Sequence, residues 1–152
     1  MGIYTSIDTK IGKLYIVDNN DYIEYVGTQK PEGCEEGMTE NLDAAIHRIP
    51  AYLNGERKKP FRIPLHLMGT VFQQKVYNAL LDVKYGETIT YSELAAKAGS
   101  PSAARAVGTA LAKNPILLLV PCHRVICNDG SLGEYALGSE VKQMLLDMEK
   151  NS

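Results

Sequence analysis

Pro121-Cys122-His123-Arg124-Val125-Ile126 follows directly on an apolar run, Ile116 to Val120. A short apolar run of this kind reads as a buried strand, which would deliver the thiol of Cys122 to a strand end. A free thiol is mostly protonated at neutral pH, and the thiolate is its reactive form. The imidazole of His123 can take that proton, directly or through one water, and a carboxylate can then orient the ring. Adjacent side chains of an extended strand point to opposite sides, so contact between Cys122 and His123 requires a bend. Pro121 supplies an irregular backbone for it. A buried, inert cysteine is the alternative, and the dipeptide alone does not separate the two.

Three nucleophile chemistries compete for such a thiol. A cysteine hydrolase wants a distant histidine and an oxyanion hole, and no local signature of one is present. A cysteine phosphatase wants a phosphate-cradling loop that ends in arginine, and Arg124 lies only two residues past the thiol. A group-accepting thiol needs only an activated sulfur and a pocket for the donor. The residues permit this last chemistry without proving it.

Working outward, the first part of the chain reads as β structure. Ile3-Tyr4, Leu14 to Val17 and Tyr22 to Val26 are strand candidates, and Asn19-Asn20-Asp21 is turn chemistry. Pro31 to Gly37 reads as a surface loop. Leu42 to Leu53 has helical spacing, with Pro50 as a breaking or kinking residue and Asn54-Gly55 as its end. The second part is mostly helical. Phe72, Val76, Leu80 and Val83 recur at helical spacing after Gly69-Thr70. Thr90-Tyr91-Ser92-Glu93 fits a capping box, and Gly99 stops that helix. Ser100-Pro101 then reads as N-cap and first residue of a helix that runs to about Lys113 and ends at Asn114-Pro115. Asn128-Asp129-Gly130 is a turn, and a last helix spans Val141 to Glu149 with Val141, Met144, Leu145 and Met148 on or near one face.

Two short helices joined by a tight glycine-containing turn carry a helix-turn-helix signature. On the second, Val107 and Leu111 define an inner face, while Ser102, Arg105, Thr109 and Ala112 lie roughly opposite. An outer face of small side chains with one long cation can approach a DNA groove closely. An exposed alanine-rich helix with a stray arginine has the same pattern, and spacing does not decide between them.

Composition narrows the field. The 152 residues carry a formal net charge of −2, which argues against a strong non-specific grip on nucleic acid. Within residues 91–114, however, Lys97, Arg105 and Lys113 face Glu93 alone, so a local and salt-sensitive phosphate-binding face is allowed. Three cysteines (Cys34, Cys122, Cys127) make no disulfide framework, and no C-x-x-C pair or histidine spacing suggests a metal site. No signal-peptide-like segment and no apolar run near the ~20 residues of a membrane span appear. The expected setting is intracellular. Neither a dinucleotide fingerprint nor a Walker motif accompanies the Gly133–Gly138 loop.

Taken with its surroundings, Pro121 to Ile126 resembles the active-site motif of the O6-alkylguanine-DNA alkyltransferases. Thr90-Tyr91-Ser92-Glu93-Leu94-Ala95, Ala103-Ala104-Arg105-Ala106-Val107-Gly108 and Lys113-Asn114-Pro115 resemble that family in order and spacing. The likeness covers roughly residues 69–150 and is weak before that. It implies an N-terminal α/β domain with an RNase H-like sheet over 1–67. It implies a mostly helical C-terminal domain with a helix-turn-helix over 68–152. The implied activity is single-turnover DNA repair, in which Cys122 accepts the alkyl group of O6-alkylguanine, less readily of O4-alkylthymine, with no cofactor and no metal. The implied partner is double-stranded DNA carrying the lesion, bound by a monomer that is cytoplasmic, or nuclear in a eukaryotic source. By position, His123 becomes a base working through water, Glu149 its orienting acid, and Asn114 a hydrogen-bonding brace. Arg105 becomes a finger replacing a flipped base. Tyr91 crowds the target phosphate and donates a proton toward the leaving guanine. Tyr135, Gly133 and Ala136 wall the base pocket, and Ser102, Thr109 and Gly108 belong to the groove-facing helix.

Ala136-Leu137 departs from the family, which often has a small polar residue or glycine there, so pocket width and hydrogen bonding to the base are affected. Cys34 lacks N-terminal partners for the zinc site of some relatives, and Cys127 reads as a pocket or core thiol. Two other classes remain as alternatives. An alkyltransferase-like lesion-binding protein lacks the acceptor cysteine, which this chain has. A helix-turn-helix regulator leaves Cys122-His123 unexplained.

Overall fold

The computed structural model describes residues 2–151. The chain divides into two compact units. One holds the chain through Leu67 together with Pro115–Leu119; the other holds Met68–Asn114 and the chain from Val120 onward.

The first unit is a mixed sheet with one helix. Strands β1 (Ile3–Thr9), β2 (Gly12–Asn19), β3 (Tyr22–Gly27) and β4 (Glu35–Glu36) lie in the order β3-β2-β1-β4, antiparallel except for the parallel β1–β4 pair. Asn20 and Asp21 sit at φ 54° and 69°, so the β2–β3 hairpin turns on two left-handed residues of the types that tolerate them. Helix α1 (Glu40–Leu53) is capped by Thr39, whose hydroxyl accepts from the Leu42 N–H and donates to Asp18. It buries Leu42, Ala45, Ile49, Tyr52 and Leu53 and packs on β1, β2 and β3. The helix continues through Pro50. An interior proline costs ~3 kcal/mol, but each fully buried Leu or Ile contributes about 1.5–3 kcal/mol, so the packed face prevails. The expected loop over Pro31–Gly37 contains the two-residue strand β4.

The second unit contains α2 (Val71–Leu81), β5 (Ile89–Thr90), α3 (Tyr91–Lys97), α4 (Ala104–Ala112), a 3₁₀ turn at Cys122–Arg124, β6 (Val125–Ile126) and α5 (Ser139–Asn151). Thr70 with Gln73 and Thr90 with Glu93 form complete capping boxes, which fix where α2 and α3 begin. The Tyr77 hydroxyl donates to the Ala110 carbonyl at 2.7 Å and ties α2 to α4. Strands β5 and β6 pair in parallel, Ile89 with Val125 and Thr90 with Ile126. That ladder sets the chain just after Cys122 beside the start of α3.

Two expectations are corrected. Residues 116–120 are not a strand. Only Ile116 bridges, to Val26, and Leu117–Leu119 then turn, with Leu118 at φ 68° and the Leu119 N–H donating to the Leu117 carbonyl. An apolar run reports burial, and burial is what these residues have; periodicity does not distinguish a buried turn from a buried strand. Helix α4 begins at Ala104, not at Pro101. Pro101 occupies a turn closed by the Ala103 N–H on the Ser100 carbonyl, and its fixed φ suits that turn as well as a first helical position. No helix among the described residues is long and apolar enough to cross a membrane.

Candidate active site

Cys122 opens the 3₁₀ turn and is only 4% exposed. Its own N–H donates to the Val120 carbonyl at 2.8 Å. Asn114, buried at the end of the α4 region, donates from its side chain to the same Val120 carbonyl at 3.1 Å. Burial pushes the Cys122 thiol up to about 11, while a hydrogen bond from Asn114 and the charge of Lys142 pull it back.

The 3₁₀ turn also supplies the bend that an extended Cys-His pair lacks. His123 is fully buried, and its Nε2 lies 2.8 Å from Oε2 of Glu149 on α5. Arg124, the third residue of the turn, grips the same carboxylate with two donors, Nε to Oε1 at 2.8 Å and Nη2 to Oε2 at 3.0 Å, and donates from Nη1 to the Val83 carbonyl. The Gly86 N–H completes the set at 3.0 Å from Oε1. Burial alone would raise the pKa of Glu149. Hydrogen bonds from His123 and Arg124, and the charges behind them, outweigh that and hold it well below the usual carboxylate range. An ionised carboxylate only accepts, so His123 Nε2 carries the proton and Nδ1 is left as the basic nitrogen. Burial lowers the imidazole's own pKa, with Arg124 and Lys142 adding to it against Glu149, so the ring is neutral and able to take a proton.

The aromatic residues close in on this core. Tyr135 meets His123 edge to face, with ring centroids 6.3 Å apart. Its hydroxyl is buried, and burial raises its pKa, as does the proximity of Cys122 and Glu149. Tyr91, the first residue of α3, is half-buried; its pKa is raised by burial and by Cys127, Glu134 and Cys122 nearby. Gly133 sits at φ +72°, and a Cβ there would fall 2.8 Å from the Tyr91 hydroxyl and 3.2 Å from the Cys127 sulfur. A Cβ at Gly108 would meet the Tyr91 ring at 3.9 Å. Ser102, Arg105, Thr109 and Ala112 are all exposed, while Val107, Ala110 and Leu111 are buried, so the two faces of α4 fall where the spacing places them. Ala136 is exposed in the turn after Tyr135. No group of three or more His, Cys, Asp or Glu among the described residues is placed to hold one metal ion.

Sequence reasoning overlooked two residues here. The motif reading assigns Arg124 no role in the site, yet it holds Glu149. Lys142 belongs to no motif, yet it is fully buried, with Nζ donating to the Leu132 and Glu134 carbonyls. A signal existed. Lys142 and Glu149 flank Leu145 at helical spacing, and the fully buried face of α5 is Lys142, Leu145 and Glu149, with Val141, Met144 and Met148 half-buried beside it. Two charges on a core face are rarely placed there without a task.

Residues 71–151 match the family described as 6-O-methylguanine DNA methyltransferase, DNA binding domain. A methylated-DNA–protein-cysteine methyltransferase of Mycobacterium leprae is 50% identical over 151 residues, spanning 96% of this chain and 91% of its own. The constitutive methylated-DNA–protein-cysteine methyltransferase of Bacillus subtilis is 40% identical over 163 residues, spanning 100% of this chain and 98% of its own. The crystal structure of Mycobacterium tuberculosis OGT in complex with DNA superposes with a TM-score of 0.91 at 38% identity, over 97% of this chain and 92% of that one. The chain therefore belongs to the 6-O-methylguanine DNA methyltransferase family.

Proposed function

We propose that this protein repairs DNA directly, by moving the alkyl group of O6-alkylguanine, and less readily of O4-alkylthymine, onto Cys122. The observation that carries the reading is the buried Glu149–His123 pair adjoining a buried thiol in one 3₁₀ turn. In the step, a Cys122 S–C bond forms as the C–O6 bond breaks. The thiol proton passes to His123 through a water, the electron pair leaves with guanine, guanine takes one proton from the Tyr91 hydroxyl, and the His123 imidazolium gives its proton back through solvent to the tyrosinate. Glu149 orients His123, and Asn114 braces the turn and the thiol. The product is a thioether that thiol exchange does not reverse, so each molecule acts once and needs no cofactor or metal.

Delivery of the base belongs to α3 and α4, read as a helix-turn-helix that docks in the minor groove. Ser102, Thr109 and Gly108 allow close approach, Arg105 fills the place of the flipped base, and Tyr91 crowds the target phosphate. Tyr135, Gly133 and Ala136 wall the pocket for the extruded base. The sheet of the first unit is read as RNase H-like. The protein is read as a monomer acting on lesion-bearing duplex DNA in the cytoplasm.

The test is intact-mass measurement after incubation with a duplex containing O6-methylguanine. One methyl group, mapped to Cys122 and missing in Cys122→Ala, is expected. Unchanged mass in folded, reduced protein that still binds the duplex would identify a lesion-binding protein instead.

A further inference from the structure

Charge in the first unit is sorted along the chain. Residues 1–43 hold three Lys/Arg and nine Asp/Glu, whereas residues 44–67 hold five Lys/Arg and Glu56 alone. Two of those five converge on one carbonyl. Arg48 of α1 donates from Nη1 to the Phe61 carbonyl at 2.6 Å and to the Arg62 carbonyl at 3.3 Å. Arg57 donates from Nη2 to the Pro60 carbonyl at 2.7 Å and to the same Phe61 carbonyl at 3.4 Å. Phe61 is itself fixed, its ring packed on buried Tyr52 with centroids 5.5 Å apart. Arg57 Nε is buried and has no hydrogen-bond partner. Burial lowers the Arg57 pKa, and the charges of Arg48 and Arg62 lower it further, as like charges at close range do. Lys58, Lys59 and Arg62 are exposed beside them, and no salt bridge reaches any of the five among the described residues. Capping these carbonyls needs hydrogen-bond donors; it does not need five cations without a counter-ion.

We propose that Arg48, Arg57, Lys58, Lys59 and Arg62 form a second DNA-contacting surface, a patch of the first unit that holds the phosphodiester backbone of duplex DNA without regard to sequence or lesion. The chemistry favours a phosphate polyanion. A guanidinium presents a planar fork of donors that matches phosphate oxygens in pairs. The carbonyl bonds of Arg48 and Arg57 use one nitrogen of each head and hold it in place, so less side-chain entropy is lost when an anion arrives. A duplex carries one negative charge per ~1.7 Å of its axis, so several cations spread over one short segment can be engaged together. Arg62 stands at φ 56°, a left-handed backbone that non-glycine residues adopt at a cost, and such strain collects at binding sites. The patch lies wholly within the first unit, whereas Arg105 and the rest of α4 belong to the other. Its contribution is therefore grip on the duplex, separate from extrusion of the base.

The test is binding of the whole protein to an undamaged duplex and to an O6-methylguanine duplex, followed by fluorescence anisotropy across a salt series. The combined variant Lys58→Gln, Lys59→Gln, Arg62→Gln removes three charges whose side chains make no hydrogen bond among the described residues. It is expected to reduce the steepness of log K against log salt by about two to three. Affinity at low salt should fall roughly tenfold, by the same factor for both duplexes. The charge-keeping variant Lys58→Arg, Lys59→Arg, Arg62→Lys should restore the native slope. An unchanged slope and affinity in the charge-removing variant would overturn the patch and leave the repair reading standing. A native protein that binds neither duplex would overturn both. A concentration-dependent dimer of the native protein, seen by sedimentation and missing in the charge-removing variant while duplex binding is unchanged, would assign the cations to an acidic face of a second copy and sink the proposal. If the triple variant does not fold, Lys58→Gln with Lys59→Gln decides, with an expected loss of slope of about one to two; no loss there refutes the patch.

Discussion

Glu149 and Arg105 lie on helices of the same unit and are held in opposite ways. The Glu149 carboxylate takes hydrogen bonds from His123, Arg124 and the Gly86 backbone and is almost wholly buried. The Arg105 side chain is exposed and makes no hydrogen bond or ion pair among the described residues. The first region is a network in which chemistry and stability share the same bonds. The second is a bare face whose groups contribute little to folding, so they are available to a partner. A residue's effect on the fold and its effect on repair should therefore separate on α4 and coincide around Glu149.

The largest effect is expected at the buried network. Glu149→Ala leaves Arg124 and His123 facing an empty site, and breaking a buried ion pair costs about 3–5 kcal/mol. Urea unfolding should give that loss, together with loss of methyl transfer. The same carboxylate sets an acid limit. Its folded pKa lies below its unfolded value, so its stabilisation is complete above ~4.3 and is lost as pH falls below that. His123 has the same sign, because burial depresses its folded pKa. Its contribution holds above ~6.5 and weakens as pH falls and the unfolded chain takes up the proton. The urea midpoint should decline in two stages between pH 7 and pH 3, and Glu149→Gln should remove the lower stage.

Gly133→Ala comes next. Its Cβ would fall 2.8 Å from the Tyr91 hydroxyl at a backbone φ of +72°. Overpacking and a left-handed alanine together should cost ~1–3 kcal/mol and slow transfer by displacing Tyr91. Alkylation of Cys122 should act through the same crowding. Added volume in the buried turn is expected to lower the melting temperature by the equivalent of about 1–3 kcal/mol. An equal or higher melting temperature would remove the steric account. The smallest effect on folding belongs to Arg105→Ala, within about 0.5 kcal/mol, while affinity for the lesion duplex falls. If Arg105→Ala destabilised the fold as Glu149→Ala does, the contrast between the two regions would be wrong.

What was legible in the chain was mostly local. Thr90 and Glu93 announce a helix start because the capping bonds join residues three apart. Asn20 and Asp21 announce a turn because their side chains tolerate the left-handed backbone. The motif order from Tyr91 to Glu149 points to the family and to the His123–Glu149 pair, which no spacing rule links across 26 residues. The illegible parts were those set by tertiary packing. Leu118 gives no sign of its positive φ, and Arg124 becomes a clamp only when α5 brings Glu149 to it. Lys142 is legible in the same local way, because helical spacing puts it beside Leu145 on a core face.

The depth of Cys122 has a consequence for the time before any lesion is met. A protein that acts once cannot recover from an accidental reaction. A thiol 4% exposed and held near a pKa of 11 is almost entirely protonated at neutral pH, and therefore slow toward stray oxidants and electrophiles. The burial that makes the sulfur a poor nucleophile at rest gives the molecule its shelf life.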